Sequence, residues 1–227
     1  MNTIKDAKFI KEAVDFGTVV PVFKKVIWLD KKVNKATLCC SALGYYEAYL
    51  NNQRVGKFIF APGWTSYGVR IQYQEYDVTN MLEECNTLDI ALGNGRRYHG
   101  NPHEHYESIT DRDDALIASL FIEYADGTTD FYPTDESWKC AKSNILDSSV
   151  YNGETVDFTF NTDETFPVKE LDDVNKDILI PTEGEEVREM ARLDAMKKEN
   201  SDPDYGTLEE RRVITGTEQK AARKHGE

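Results

Sequence analysis

The stretch from Ala42 to Arg96 leaves this chain little choice of fold. It reads ALGYYEAYLNNQRVG, then APGWTSYGVRIQYQEYDVTNML, then NTLDIALGNGR. Tyr46, Ala48 and Leu50 alternate with Tyr45, Glu47 and Tyr49, a period of two that puts one set toward a core and the other outward. Asn51-Asn52 follows, and Asn tolerates positive φ better than most residues, so a tight hairpin turn is expected there. Val55-Gly56 starts the return strand and Pro62-Gly63 breaks it. Arg70 to Val78 is strand-like again. Leu88, Ile90 and Leu92 form the next inward set, and Gly93-Asn94-Gly95 ends it sharply.

The same pattern recurs elsewhere. Residues 21–30 read as a first strand, and Ala36 to Ala42 as a second with Ala36, Leu38 and Cys40 on one face. Ala115 to Tyr124 gives the clearest signal: Leu116, Ala118, Leu120 and Ile122 share a face, and Asp126-Gly127 turns the chain into Thr128 to Tyr132. Trp138 with Cys140, and Thr155 to Phe160, suggest further short strands. Roughly eight to ten short strands without a long helix describe an all-β antiparallel sandwich or jelly roll. We divide the chain into an N-terminal extension (1–19), a β-sandwich domain (20–181) and a charge-dense tail (182–227). Glu185 to Lys198 has only a thin apolar face, so the tail is expected to be partly helical or disordered.

Composition narrows the function. The formal net charge is −14, which argues against nucleic acid and against anionic membrane surfaces, since both are bound by clustered Lys and Arg. The four cysteines, Cys39, Cys40, Cys85 and Cys140, include no C-x-x-C spacing. Adjacent Cys39 and Cys40 would point to opposite faces of a strand. The N-terminus lacks the apolar segment of a signal peptide, and free thiols fit a reducing cytoplasm. Neither a G-x-S-x-G nucleophile motif nor a phosphate-binding loop is present.

Several motifs in one order resemble the N-terminal domain of bacterial α-L-rhamnosidases, glycoside hydrolase family 78. They are ALGYYEAYLNNQRVG, PGWTSYGVRIQYQEYDVT, LGNG, TDESWK (Thr134 to Lys139) and SNILDSSVYNGETVDF (Ser143 to Phe158), with a fainter match in ILIPTEGEEVRE (Ile178 to Glu189). The resemblance covers roughly residues 20–190. It implies a galactose-binding-domain-like β-sandwich. It also implies that the family's chemistry lies in a later (α/α)₆ barrel. Such a barrel needs on the order of 140 residues in its helices alone, and only residues 191–227 follow Met190. This chain is therefore expected to be a non-catalytic, carbohydrate-associated accessory domain. Its partner would be a rhamnose-containing glycan or a glycosidase catalytic domain. A pure interaction module without a sugar site is the alternative, and a fragment of a working α-L-rhamnosidase a more distant one. The chain departs from the family pattern at Asn52, where Gly is favoured, at Arg96, where an aromatic is common, at Asn152, usually Asp, and at Val156, usually Tyr.

The candidate sugar-binding residues follow from their chemistry. Sugars stack C–H faces on aromatic rings and take hydrogen bonds from arginine and carboxamides. Trp64, Tyr67 and Arg70 cluster after a Pro-Gly break, the alternative being that Trp64 packs over the sandwich edge as core. Asn94, Arg96 and Tyr98 sit at a strand end beside two glycines. Tyr151, Asn152 and Glu154, with Asp147, carry oxygens of the kind that sugar hydroxyls or calcium use, but without the spacing of a calcium loop. No cofactor is expected. His99, His103 and His105 fall within seven residues, a loop rather than a metal site because no carboxylate stands at fixed spacing.

Overall fold

In the computed structural model, which describes residues 3–94, 114–149 and 153–191, regular structure is almost wholly β. The strands are β1 (Phe9–Glu12), β2 (Pro21–Trp28), β3 (Val33–Leu43), β4 (Tyr45–Leu50), β5 (Gln53–Arg54), β6 (Ile71–Asp77), β7 (Cys85–Gly93), β8 (Ala115–Tyr124), β9 (Thr129–Pro133), β10 (Lys139–Lys142), β11 (Ile145–Ser149), β12 (Gly153–Val156), β13 (Phe166–Leu171) and β14 (Leu179–Pro181). Only three single-turn 3₁₀ helices interrupt them among the described residues.

One layer runs β14-β6-β3-β8-β1, with β9 beside β1 on the free edge of β8. The other runs β10-β2-β7-β4-β5. β13 belongs to both. Its first residues, Phe166 and Pro167, pair with β10, and Val168 to Leu171 pair with β1. The sandwich is thus one curled sheet folded on itself, plus the separate hairpin β11-β12.

Alternation places the core. Ala36, Leu38, Cys40 and Ala42 of β3 face Leu116, Ala118, Leu120 and Ile122 of β8, register partners across their shared edge. Phe23, Ile27, Tyr46, Ala48, Leu50, Leu88, Ile90 and Leu92 close the core from the second layer. The turn after β4 is the predicted one: Leu50 pairs with Gln53, and Asn51 and Asn52 adopt φ of 52° and 62°. Two positive φ values match the right-handed twist of the flanking strands. Asn51 also has work for its side chain, which accepts the Thr87 N–H (2.9 Å) and donates to the Met81 carbonyl (2.9 Å).

The structure refines the sequence reading at several points, among them the strand expected at Thr155 to Phe160, which is instead β12 at Gly153–Val156 followed by a turn. The return strand ends at Arg54, because Gly56 at φ 71° turns the chain away, although the Val55 N–H still donates to the Ala48 carbonyl (2.8 Å). The pairing is not wholly antiparallel: β14 runs parallel to β6, reaching it by a long connection instead of a hairpin. β8 is buried on both faces, because Ile4, Ala7, Phe9, Ile71 and Leu179 form a second apolar cluster over Ala115 and Ile117. The N-terminal segment is thus part of the packed sheet, through β1 and through a 3₁₀ turn at Ile4–Asp6 capped by Thr3. Residues 185–191 carry no regular structure, and the rest of the Glu185–Lys198 segment lies outside the described residues. The chain divides into units Met1–Arg188 and Glu189–Glu227, and most of the second, residues 192–227, lies outside the described residues.

The TDESWK motif is structural. Thr134 is fully buried, donating to the Lys8 carbonyl (2.6 Å) and accepting the Ala118 N–H (3.1 Å). Trp138 is also fully buried, with its indole N–H on the Pro133 carbonyl (2.8 Å).

The cysteines are free, and they differ sharply in environment. Cys85 is exposed. Burial, helped by the Glu75 carboxylate, pushes Cys39 up to about 11. Burial, with Glu12 adding, pushes Cys140 to about 11, and fully buried Cys40 is raised well above the usual thiol value. At pH 8 a thiol with such a pKa is thiolate in roughly one molecule per thousand, and the thiolate is what reacts. Ellman's reagent at pH 8 is therefore expected to label one thiol rapidly, lost in Cys85→Ser, and the other three only in denaturant. Two thiols reacting at equal rates in the native protein would contradict this.

Candidate functional site

The parity that buries Tyr46 and Ala48 turns Tyr45 and Glu47 to the outer face of the second layer. Opposite them on β7 stand Gly93 and Ala91, which are too small to fill the space. The floor of a depression is therefore set by strand register. The β11-β12 hairpin forms one wall. Ser148 pairs with Glu154, so both side chains share a face, while Asp147 pairs with Thr155 and points to the other. Asp147 and Glu154 consequently do not converge as the sequence reading grouped them. The opposite wall is Phe60, whose ring centroid lies 5.5 Å from that of Tyr45 at an angle of 49°.

The resulting cavity has a volume of about 370 Å³ and is lined by Tyr45, Glu47, Phe60, Asn94, Ser148 and Glu154, among others. A second cavity of about 450 Å³ shares Tyr45 and Phe60 and continues over Trp64, Gln72, Thr182 and Glu185. Both volumes lie in the range of about 300–1,000 Å³ typical of small-molecule sites.

Phe60 is an unusual residue. It is 55% exposed and holds φ at 60°, a left-handed conformation that costs a non-glycine residue about 1–2 kcal/mol. Its neighbours hold it there. The Ile59 N–H donates to the Val187 carbonyl (2.7 Å), the Gly63 N–H to the Phe60 carbonyl (2.8 Å), and the Arg54 guanidinium to the Phe58 carbonyl (3.0 Å). That same guanidinium reaches Glu47 at 3.1 Å, tying one loop to the rim of the first cavity.

A buried polar network underpins the second cavity. The Tyr46 hydroxyl donates to Gln74 Oε1 (2.6 Å) and lies 3.1 Å from the Tyr76 hydroxyl. Gln74 Nε2 donates to the Pro62 carbonyl (3.0 Å) and to Thr182 Oγ1 (2.6 Å), and Thr182 passes a hydrogen bond to the Tyr73 carbonyl (3.0 Å). Burial pushes Tyr46 well above the usual phenol value and Tyr76 up to about 12, so both stay neutral donors.

The sequence candidates separate accordingly. Asn94 and Glu154 line the first cavity and Trp64 the second. Trp64 is 67% exposed, which rules out packing within the core. Tyr67 is buried in the second apolar cluster. Arg70 donates to Thr65 Oγ1 (2.9 Å) and pairs with Glu183 (3.3 Å), and it lines neither cavity. Arg96, Tyr98, Tyr151 and Asn152, and the three-histidine loop, lie outside the described residues. The sequence reading missed Tyr45, Glu47, Phe60 and Ser148. Strand parity marked Tyr45 and Glu47 as outward, but nothing in the local sequence signalled Phe60. Among the described residues no cluster of His, Cys, Asp and Glu could hold a metal ion.

The chain is a curled, all-β sandwich of the galactose-binding-like kind, with an aromatic-walled groove on one outer face. The α-L-rhamnosidase N-terminal domain family model matches residues 31–190, and the chain belongs to that family. An α-L-rhamnosidase of Streptomyces avermitilis is 42% identical over 133 residues, which is 56% of this chain and 12% of that protein. One from Formosa agariphila is 34% identical over 63% of this chain and 16% of its own length. The crystal structure of native α-L-rhamnosidase from Aspergillus terreus superposes with a TM-score of 0.72 at 31% identity, over 83% of this chain and 24% of that one. The apo lectin of Pleurotus ostreatus, 21% identical with a TM-score of 0.51, shares the fold. The chain thus spans less than a fifth of the curated relatives it matches.

Proposed function

We propose that this domain is a non-catalytic accessory module that holds a rhamnose-containing glycan in the groove between Tyr45 and Phe60, beside a glycosidase catalytic domain. The observation that carries the reading is the convergence of two aromatic rings with Asn94, Ser148 and Glu154 around one open cavity. Rings supply a stacking surface for C–H faces, and the amide, hydroxyl and carboxylate match sugar hydroxyls. Added support comes from the Streptomyces avermitilis α-L-rhamnosidase whose structure was determined with L-rhamnose. It is 34% identical to this chain, with a TM-score of 0.58.

Binding through one small aromatic site is weak. A dissociation constant near ~1 mM corresponds to about −4 kcal/mol. Titrating L-rhamnose into labelled protein is expected to shift the amides of Tyr45, Phe60, Asn94 and Glu154 first, and Tyr45→Ala is expected to abolish the shifts while leaving the fold intact. The same preparation is expected to leave an aryl α-L-rhamnoside unhydrolysed above the blank. Turnover that survives repurification and disappears on mutating one carboxylate of this chain would overturn the non-catalytic reading. If millimolar rhamnose moves no resonance, an interaction module takes its place. That second reading has its own support: Trp28 (68% exposed) and Val26 (57% exposed) stand together on the outer face of β2.

A further inference from the structure

The two cavities are not independent. Tyr45 and Phe60 line both, so the same pair of rings forms a wall of each. We propose that they are adjacent subsites of one groove, which takes two linked, uncharged pyranose units with Phe60 as the ring between them. This rests on the carbohydrate reading above and specifies the ligand it requires.

Three observations lead to it. The first is shape: volumes of about 370 and 450 Å³ sit side by side, each in the small-molecule range, so the groove as a whole exceeds what one sugar ring fills. The second is the aromatic sequence. Tyr45 and Phe60 serve the first subsite, and Phe60 and Trp64 the second, each subsite thereby having two rings. Phe60 stands in this shared position only by holding φ at 60°, and residues held in such sparsely populated conformations concentrate at ligand sites. The third is charge. Glu154 and Glu47, the latter paired with Arg54 at the rim (3.1 Å), line the first subsite and Glu185 the second, and among the described lining residues neither contains a lysine or arginine. Carboxylates accept hydrogen bonds from sugar hydroxyls but repel uronate or sulfate groups. The groove therefore selects neutral glycans.

The test is isothermal titration and amide-shift mapping with three probes: L-rhamnose, a rhamnobiose, and glucuronyl-rhamnose. Rhamnobiose is expected to bind at least tenfold more tightly than rhamnose and to shift amides near Trp64 and Thr182 that the monosaccharide leaves unmoved. Glucuronyl-rhamnose is expected to bind at least tenfold more weakly than rhamnobiose, with the gap narrowing in Glu154→Gln or Glu185→Gln according to where the uronate sits. Trp64→Ala should reduce rhamnobiose to the affinity of rhamnose. Phe60→Ala should weaken both. Circular dichroism checks that each variant is folded. Equal affinity for rhamnose and rhamnobiose, with Trp64→Ala silent, would overturn the two-subsite groove and leave the carbohydrate reading standing. A preference for the uronate would overturn the charge selection. Absence of binding to all three probes would overturn the carbohydrate reading and this inference with it.

Discussion

Replacing Gly56 by alanine is expected to lower the stability of the domain by about 2–5 kcal/mol. Two costs combine. Gly56 holds φ at 71°, where a side chain costs about 1–2 kcal/mol. In addition, a Cβ there would run into the ring of Tyr76. That ring cannot move aside cheaply, because it is buried and its hydroxyl lies 3.1 Å from that of Tyr46 within the core network. Overpacking a closed site typically costs a further ~1–3 kcal/mol. Gly127 provides the control. It also has a positive φ, 81°, but a Cβ there meets nothing within 4 Å. Gly127→Ala should therefore lose only the conformational part, about 1–2 kcal/mol. Urea denaturation of both variants separates the terms. Equal losses at the two sites would show that Tyr76 gives way and that the close approach carries no energy.

The second large effect is expected from Gln74→Leu, which removes the hub of the buried network. Gln74 is 4% exposed and ties three elements: β4 through Tyr46, the loop before β6 through Pro62, and the segment after β14 through Thr182. Leucine removes the donor to the Pro62 carbonyl and to Thr182, whereas the Tyr46 hydroxyl keeps the Tyr76 hydroxyl (3.1 Å) and the Cys40 carbonyl (3.3 Å) as partners. A buried polar group left unsatisfied costs about 1–3 kcal/mol, and that is the expected loss. The loss should also be local. Pro62 and Thr182 flank the second cavity, so hydrogen exchange at Ile59, which bonds to Val187, and at Gly63, which bonds to Phe60, should accelerate more than in the β3–β8 pair. A uniform acceleration across the sandwich would mean that the network stabilises the core without shaping the groove.

How much of this was legible in sequence differs by element. The outward parity of Tyr45 and Glu47 is a consequence of period-two alternation, and so was readable from YYEAYL before any fold was known. The Asn51-Asn52 turn was readable because it depends only on which residues tolerate positive φ. The resemblance carried by several ordered motifs led to the family that the comparisons then showed. Two of those motifs, however, were recognisable for structural reasons: Thr134 and Trp138 in TDESWK are buried and bonded to backbone.

Other features depend on partners distant in sequence. Nothing in FIKE marked β1 as a strand, because it exists only by pairing with β13 and β8, more than a hundred residues on. Tyr67 looked like a ligand residue in PGWTSYG until packing buried it beside Ile71 and Leu179, while Trp64, three residues away, stayed at the surface. Phe60 became a groove wall through hydrogen bonds to segments around residues 54, 63 and 187. By itself the sequence determined the central strands β2, β3, β4, β6, β7 and β8, the turn and which of their side chains face out, since alternation and φ preference act between neighbours. Which outward-facing side chains converge on one groove was decided only by the tertiary structure, since that depends on the register of strands and loops brought together from opposite ends of the chain.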